Sequence, residues 1–173
     1  MPGISVVPTP SSTGGNKTVS ISIRDFAPSD TASLLDIQRT APQAAQWQAA
    51  DYENLSREPG GLILMAQSGG AGAIIGFLAA RVMGEEAELY NLAVAEAHRR
   101  KGVSKGLVRE FHRRLIAAGV MGVSCEVRPS NTPALNLYVG FGYERSGVRR
   151  HYYANDGEDA LVLWRDLRAA GAI

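Results

Sequence analysis

His98-Arg99-Arg100-Lys101-Gly102-Val103-Ser104-Lys105-Gly106 joins a segment of strand character to one of helix character. Upstream, Ala87 to Val94 is an apolar, β-compatible run. Downstream, from Ser104 to Ala118, the apolar residues Leu107, Val108, Phe111, Leu115 and Ile116 recur at helical spacing, and Gly119 supplies the stop. Val120 to Arg128 then returns to strand periodicity. A strand, a helix and a second strand in this order form a βαβ unit, whose two strands are near-parallel neighbours. Small residues in the connecting loop let its backbone approach a ligand, and the first N–H groups of the helix have no partner inside it. The helix dipole adds roughly half a positive charge at the same end, so the loop suits a pyrophosphate. Between Glu96 and Arg114 there are seven cations (Arg99, Arg100, Lys101, Lys105, Arg109, Arg113 and Arg114) against the two acids Glu96 and Glu110. Charge alone fits a solvated basic helix face equally well.

Before this unit, Thr18 to Arg24 alternates, with Val19, Ile21 and Ile23 on one face and Ser20, Ser22 and Arg24 on the other, as in a half-buried strand. Pro28, Ser29 and Asp30 carry turn and N-cap chemistry for a helix whose apolar face begins at Leu34, Leu35 and Ile37 and which ends near Pro42; a second helical stretch surrounds Trp47 to Leu55. Leu62 to Gln67 and Ala73 to Met83 read as a hairpin about Ser68-Gly69-Gly70-Ala71-Gly72. Beyond the unit, Asn131 or Thr132 caps a short helix with Pro133 in its first turn, running through Tyr138 to Gly140. Tyr143 to Val148 and Ala160 to Leu167 supply the last strands. The expectation is one α/β (α+β) domain over 18–173. Its mixed, mostly antiparallel twisted sheet has six to seven strands, about four helices flank it, and the βαβ unit holds a cofactor.

The chain has 173 residues, 45% of them hydrophobic, enough for one core and short for two domains. Its net charge of +1 and 20% charged residues argue against a globally basic nucleic-acid binder. Met1 to Asn16 contains no charge, three Pro, three Gly and five Ser or Thr, so residues 1–17 are expected to form a flexible tail. Pro2, Pro8 and Pro10 interrupt the apolar run a secretory signal needs, and no stretch is long and apolar enough to span a membrane. Cys125 is the only cysteine, and no Cys/His cluster has zinc-ligand spacing, so no metal and a reducing, cytoplasmic setting are expected.

A Walker loop does not fit, because Gly102 and Gly106 are four apart and Leu107 follows; a Rossmann loop does not fit, because Ser104 stands where its second Gly would be. Arg99-x-x-Gly102-x-Ser104 instead resembles the [RQ]-x-x-G-x-[GA] loop of the GNAT superfamily of N-acetyltransferases. The resemblance extends in order to Glu88-Leu89-Tyr90-Asn91-Leu92-Ala93-Val94, to Cys125-Glu126-Val127-Arg128-Pro129-Ser130-Asn131, and to Ala134-Leu135-Asn136-Leu137-Tyr138 through Gly140-Phe141-Gly142-Tyr143. With Arg149-Arg150-His151-Tyr152-Tyr153 and Gly157-Glu158-Asp159-Ala160-Leu161, the chain is similar to the ribosomal-protein N-terminal alanine acetyltransferases, the RimI type, over roughly 18–167. It departs from them in having Ser104 where Gly or Ala is usual, Gly106 where Ala is frequent, and no Pro-Trp pair near Trp47.

The resemblance implies acetyl-CoA as cosubstrate, held by Arg99, Arg100, Lys101, Gly102, Val103, Ser104, Lys105 and Gly106 at its pyrophosphate. The backbone of Leu92, Ala93 and Val94 would hold the pantetheine arm and polarise the carbonyl, with Asn131 as a further contact. It also implies Glu126 as general base and Tyr138 as general acid. From the residues themselves, strand alternation puts Glu126 with Ser124 and Arg128 on one face and Cys125 with Val123 and Val127 on the other. A free Cys between two Val suits the core better than acyl transfer. A carboxylate within a strand needs a partner or a task, and an ion pair with a neighbouring Arg would also satisfy it. Tyr138 could likewise simply pack in its helix.

Tyr90, Arg128, Tyr152 and Tyr153 are the candidates around the acceptor, or else ordinary half-buried strand residues. An α-amine with pKa of about 8 is held neutral at about pH 7.4 for under about 1 kcal/mol, whereas a lysine near 10.4 costs about 4 kcal/mol. The difference favours an α-amine without excluding lysine, and the resemblance implies a protein N-terminus, a ribosomal protein's among them, as the partner; no membrane or direct nucleic-acid contact and a monomer or weak dimer are expected. A lysine or small-amine acceptor is the second enzyme reading. A coenzyme or RNA-binding module without turnover is the reading from another class.

Overall fold

The structure, a computed structural model, describes residues 20–168. The expected tail over 1–17, the first residues of the expected opening strand, Thr18 and Val19, and the last residues, 169–173, lie outside the described residues. The elements run β1 (Ile21–Asp25), α1 (Thr31–Arg39), α2 (Ala49–Arg57), β2 (Gly61–Ser68), β3 (Ile74–Met83), β4 (Glu86–Val94), α3 (Val103–Ala117), β5 (Gly122–Val127), α4 (Thr132–Gly140), β6 (Glu144–Arg149) and β7 (Ala160–Asp166). This is the expected succession, with most boundaries moved by a residue or two and the end of α1 by three, from near Pro42 to Arg39. The strands form one mixed sheet in the order β1-β2-β3-β4-β5-β7-β6, antiparallel except at β4 and β5.

The parallel pair is the feature that positions the site. It is short: Glu86 to Leu89 pair with Gly122 to Cys125. Beyond these residues β4 stays on β3 as far as Val94 and β5 stays on β7 as far as Val127, so the two strands part. A bulge marks the start of the parting, because Leu89 pairs with Ala80 and Asn91 with Ala79, leaving Tyr90 unopposed. An extra residue bends its strand and shifts the alternation by one. Tyr90 and Asn91 consequently lie on the same face of the sheet, where Tyr90 packs with the α1–α2 core and Asn91 reaches Tyr52.

The sheet has a core on each face. On one, Leu107, Val108, Phe111 and Leu115 of α3 bury against Leu64, Leu78, Val123 and Cys125, with Tyr138 of α4 in the same cluster. On the other, Leu34 and Ile37 of α1 and Tyr52 and Leu55 of α2 bury against Ile63, Met65, Phe77 and Ala93. Each such large apolar side chain contributes about 1.5–3 kcal/mol by leaving water. The start of α3 lies close over the sheet at Gly76, where a Cβ would stand 3.1 Å from both the Ala93 carbonyl oxygen and Val103 Cγ1. Asp30 occupies the N-cap position of α1, yet its carboxylate turns back to accept from the Ala27 N–H at 2.8 Å and to pair with Arg24 at 2.7 Å.

Candidate active site

The loop between β4 and α3 is shaped by two left-handed residues, Arg100 (φ 59°) and Gly102 (φ 83°). Left-handed residues in a tight turn gather successive backbone N–H groups into one concavity, a form that accepts anions. A Cβ on Gly102 would meet nothing within 4 Å, so its dihedral is what favours glycine, not lack of space. At Gly106 a Cβ would rest 3.5 Å from Ile23 Cδ1, an ordinary contact, so alanine fits there. Val103 is buried and anchors the loop; Ser104 is half-buried.

The cations divide into two groups. Arg99 donates to the Val94 carbonyl at 3.1 Å and to the Thr40 carbonyl at 2.6 Å, and Lys101 to the Ala97 carbonyl at 2.8 Å, so these side chains brace the loop itself. Arg113 and Arg114 pair with Glu110, and Arg114 also with Asp25. Hydrogen bonds from Arg113 lead the effects that lower the Glu110 carboxyl to about 2. Among the described residues, Arg100, Lys105 and Arg109 have no carboxylate partner. A concave run of N–H groups beside such cations has the donor chemistry a pyrophosphate needs.

Where β4 and β5 part, a groove of about 620 Å³ opens, lined by Tyr90, Leu92, Glu126, Arg128, Asn131, Tyr138, Tyr152 and Tyr153 among others. Eight of the residues singled out from the sequence thus meet in one place. Ala93 and Val94 are instead buried in the two cores. Glu126 and Tyr138 come to the groove from opposite sides: Cys125 and Val127 flank Glu126 and face the α3 core, while Tyr138 itself belongs to that core. Only the gap between the strands lets both line one space. Asn131 caps α4, its side chain accepting from the Ala134 N–H at 3.3 Å.

Charges in the groove are largely compensated. Glu126 forms an ion pair with Arg149, whose side chain is 59% exposed. The Glu126 carboxylate beside its hydroxyl, reinforced by burial, pushes the Tyr152 phenol up to about 12. Arg128 is held by Asp156 at 2.7 Å, Glu158 at 3.0 Å and Asn155 at 3.0 Å, and its guanidinium lies 3.6 Å over the Tyr153 ring, so it fixes the β6–β7 connection against β5. Burial holds the Tyr138 phenol well above its ordinary range. Burial also raises the Cys125 thiol, as a core cysteine requires.

Three features of the groove, and the arginine that pairs with Glu126, have no role of their own in the sequence reading. Glu88 lines the groove with its carboxyl raised by burial and then by Glu126. Arg149 comes from β6, at the far edge of the sheet, and no local pattern announces it. Segment 42–47 forms a wall, and Asn91 braces it. The signal for Asn91 was present: a carboxamide inside the apolar run Leu89 to Val94 is out of place without a partner. Among the described residues no group of three or more His, Cys, Asp or Glu could hold a metal ion.

A model of the acetyltransferase (GNAT) family matches residues 29–143. The chain is 32% identical over 142 residues to the N-alpha-acetyltransferase RimI of Mycobacterium tuberculosis, covering 76% of this chain and 87% of that protein. It is 35% identical over 94 residues to the ribosomal protein bS18-alanine N-acetyltransferase of Escherichia coli, covering 53% of this chain and 64% of that protein. The crystal structure of the latter enzyme superposes with a TM-score of 0.76 at 24% identity, over 86% of this chain and 94% of that one, a likeness of fold.

Proposed function

Because the chain belongs to the acetyltransferase (GNAT) family, and is with it an acetyl-CoA-dependent N-acetyltransferase, we propose that its acceptor is the α-amine of a protein N-terminus, of the alanine-bearing ribosomal-protein class. The observation that carries the reading is the groove at the β4–β5 parting, which places Glu126 and Tyr138 on one cavity with the aromatic residues Tyr90, Tyr152 and Tyr153 around it. Acetyl-CoA supplies an activated acyl carbon with a thiol leaving group. Backbone N–H groups from Gly102 to Lys105 hold its pyrophosphate together with Arg100 and Lys105, which have no carboxylate partner among the described residues. Groups of Leu92 and Val94 left without a strand partner on the β5 side hold the arm that runs to the groove, with Asn131 beside it.

Glu126 takes the proton that the amine loses as nitrogen bonds to the acyl carbon. Tyr138, kept neutral by burial, gives its hydrogen to the sulfur as the carbon–sulfur bond breaks, and solvent exchange restores both groups. An approaching amine competes with Arg149 for Glu126, and Arg149 is exposed enough to swing away. Arg128, already neutralised by Asp156 and Glu158, shapes the acceptor end through Tyr153. Among the described residues no helix is long and apolar enough to cross a membrane. A ribosomal acceptor sets the reaction in the cytoplasm.

Competition among acceptors tests the reading. With acetyl-CoA saturating, a short peptide beginning with Ala is expected to exceed spermine and a lysine whose α-amine is blocked in kcat/KM by about 100-fold, in line with the roughly 3 kcal/mol that separates an α-amine from a lysine side chain in reaching neutrality. Equal or faster turnover of spermine or the blocked lysine would overturn it.

A further inference from the structure

One wall of the groove, segment 42–47, has no strand or helix of its own, yet its backbone is tied at two points by a buried chain of side chains. The Asn91 carboxamide pairs with the Ala45 peptide as a neighbouring strand would: Nδ2 donates to the Ala45 carbonyl at 2.9 Å and Oδ1 accepts from the Ala45 N–H at 3.2 Å. The second Nδ2 hydrogen goes to the Tyr52 hydroxyl at 2.7 Å. That hydroxyl donates to Gln38 Oε1, and Gln38 Nε2 donates to the Trp47 carbonyl at 2.8 Å. Asn91, Tyr52 and Gln38 are 4%, 0% and 5% exposed, so the contacts form away from water, where a missing partner is costly. Trp47 then packs at a tilt against Tyr52 and Tyr90, ring centres 5.1 and 5.7 Å apart.

This arrangement depends on the bulge at Tyr90. Without the extra residue, regular alternation would turn Asn91 toward the α3 core, and the wall would lose its brace. We propose that Asn91, backed by Tyr52 and Gln38, is the positioning residue for the acceptor: it fixes the backbone of segment 42–47 so that an extended chain following the reactive amine is registered against a rigid wall. The inference rests on the N-terminal acetylation reading. It assigns selection of the acceptor chain to this wall and leaves proton transfer with Glu126 and Tyr138.

The test is steady-state kinetics of Asn91→Leu, which keeps the branched shape of the side chain and removes all three contacts, with a peptide beginning with Ala. The KM for peptide is expected to rise about tenfold through lost preorganisation, while the KM for acetyl-CoA and the slow acceptor-free hydrolysis of acetyl-CoA stay within about twofold. Amide exchange at Ala45 is expected to accelerate by at least about tenfold. Tyr52→Phe, which keeps the Asn91–Ala45 pair, is expected to raise the peptide KM by about two- to fivefold, and it decides the matter if the Leu variant does not fold. An unchanged peptide KM, or a fall in kcat alone, overturns the inference. If instead the wild type fails to acetylate the peptide, the acceptor reading itself has failed, and faster Ala45 exchange in Asn91→Leu still tells whether the brace exists.

Discussion

The two ends of the site are built by opposite means. At the loop before α3 the backbone does the shaping: Arg100 and Gly102 sit in left-handed conformations, and Arg100, Lys105 and Arg109 keep charges that no carboxylate among the described residues answers. At the acceptor end side chains do the shaping, and the arginines there are paired: Arg128 with Asp156 and Glu158, Arg149 with Glu126, Arg150 with Asp159. A pyrophosphate brings its own negative charge and needs a surplus of donors. An incoming amine must be neutral to react, so a compensated groove, where protons move without net charge being stranded, suits it better.

The comparison breaks most visibly if the ends are not separable. Glu126→Gln is expected to lower turnover by about 10²–10⁴ while the thermal stabilisation by acetyl-CoA stays as in the wild type, and Tyr138→Phe should act in the same direction. Turnover unchanged in both variants would remove the proton-transfer assignment. A loss of cofactor binding matching the loss of rate would mean the two ends are one unit.

A second expectation concerns the packing of α3 against β7. His112 of α3 contacts the Tyr143 hydroxyl at 2.8 Å and Arg165 of β7 at 3.1 Å, and burial, with Arg165 adding to it, lowers its pKa to about 4. An unfolded histidine takes its proton near 6.5, so between the two values the unfolded chain holds more protons. Stability is therefore complete above about pH 6.5 and falls as pH drops toward 4, by up to about 3 kcal/mol. Denaturant melts from pH 7 to 4.5 check this, above the range where Glu110 and Asp166, both lowered to about 2, add most of their own loss. His112→Gln should flatten the slope over this range. An equally steep slope in that variant would assign the pH dependence to other groups.

What the sequence disclosed follows the same division. The loop was legible because Gly102 and the helical spacing from Leu107 to Leu115 are local signals, and the acceptor face was legible as far as strand alternation carries, from Val123 to Arg128. The alternation failed at one residue. Ala87 to Val94 reads as an unbroken strand, and nothing in its composition announces that Tyr90 is the bulge that turns Asn91 to the α1–α2 face. The Arg149–Glu126 pair was anticipated only as a type, because its arginine stands on β6, with β7 between it and β5. The left-handed conformation of Arg100 had no residue-type signal, since arginine carries a Cβ and does not favour it. Periodicity discloses elements; pairings between distant strands need the topology.

The remaining predictions sharpen the cofactor end. Gly102→Ala forces a Cβ onto a residue at φ 83°, which costs about 1–2 kcal/mol and is relieved if the loop relaxes out of its anion-binding shape. Acetyl-CoA affinity is expected to fall about tenfold, read by calorimetry, with the peptide KM unmoved. A matching rise in peptide KM would show that the loop and the groove share one conformational equilibrium.

Ser104→Ala is expected to have the smallest effect and to decide a question of sign. Ser104 is the second residue of α3, half-buried beside N–H groups that no helical partner uses. A hydroxyl there either adds a donor to the anion or takes up room the anion needs. The side chain is small and its hydroxyl can rotate to donate, so crowding has little purchase. The hydroxyl then acts as one more donor, and its removal should weaken acetyl-CoA binding about threefold, the lower part of what one hydrogen bond contributes. Tighter binding in Ser104→Ala would reverse the sign and show that serine at this position is tolerated by the loop against a cost in affinity.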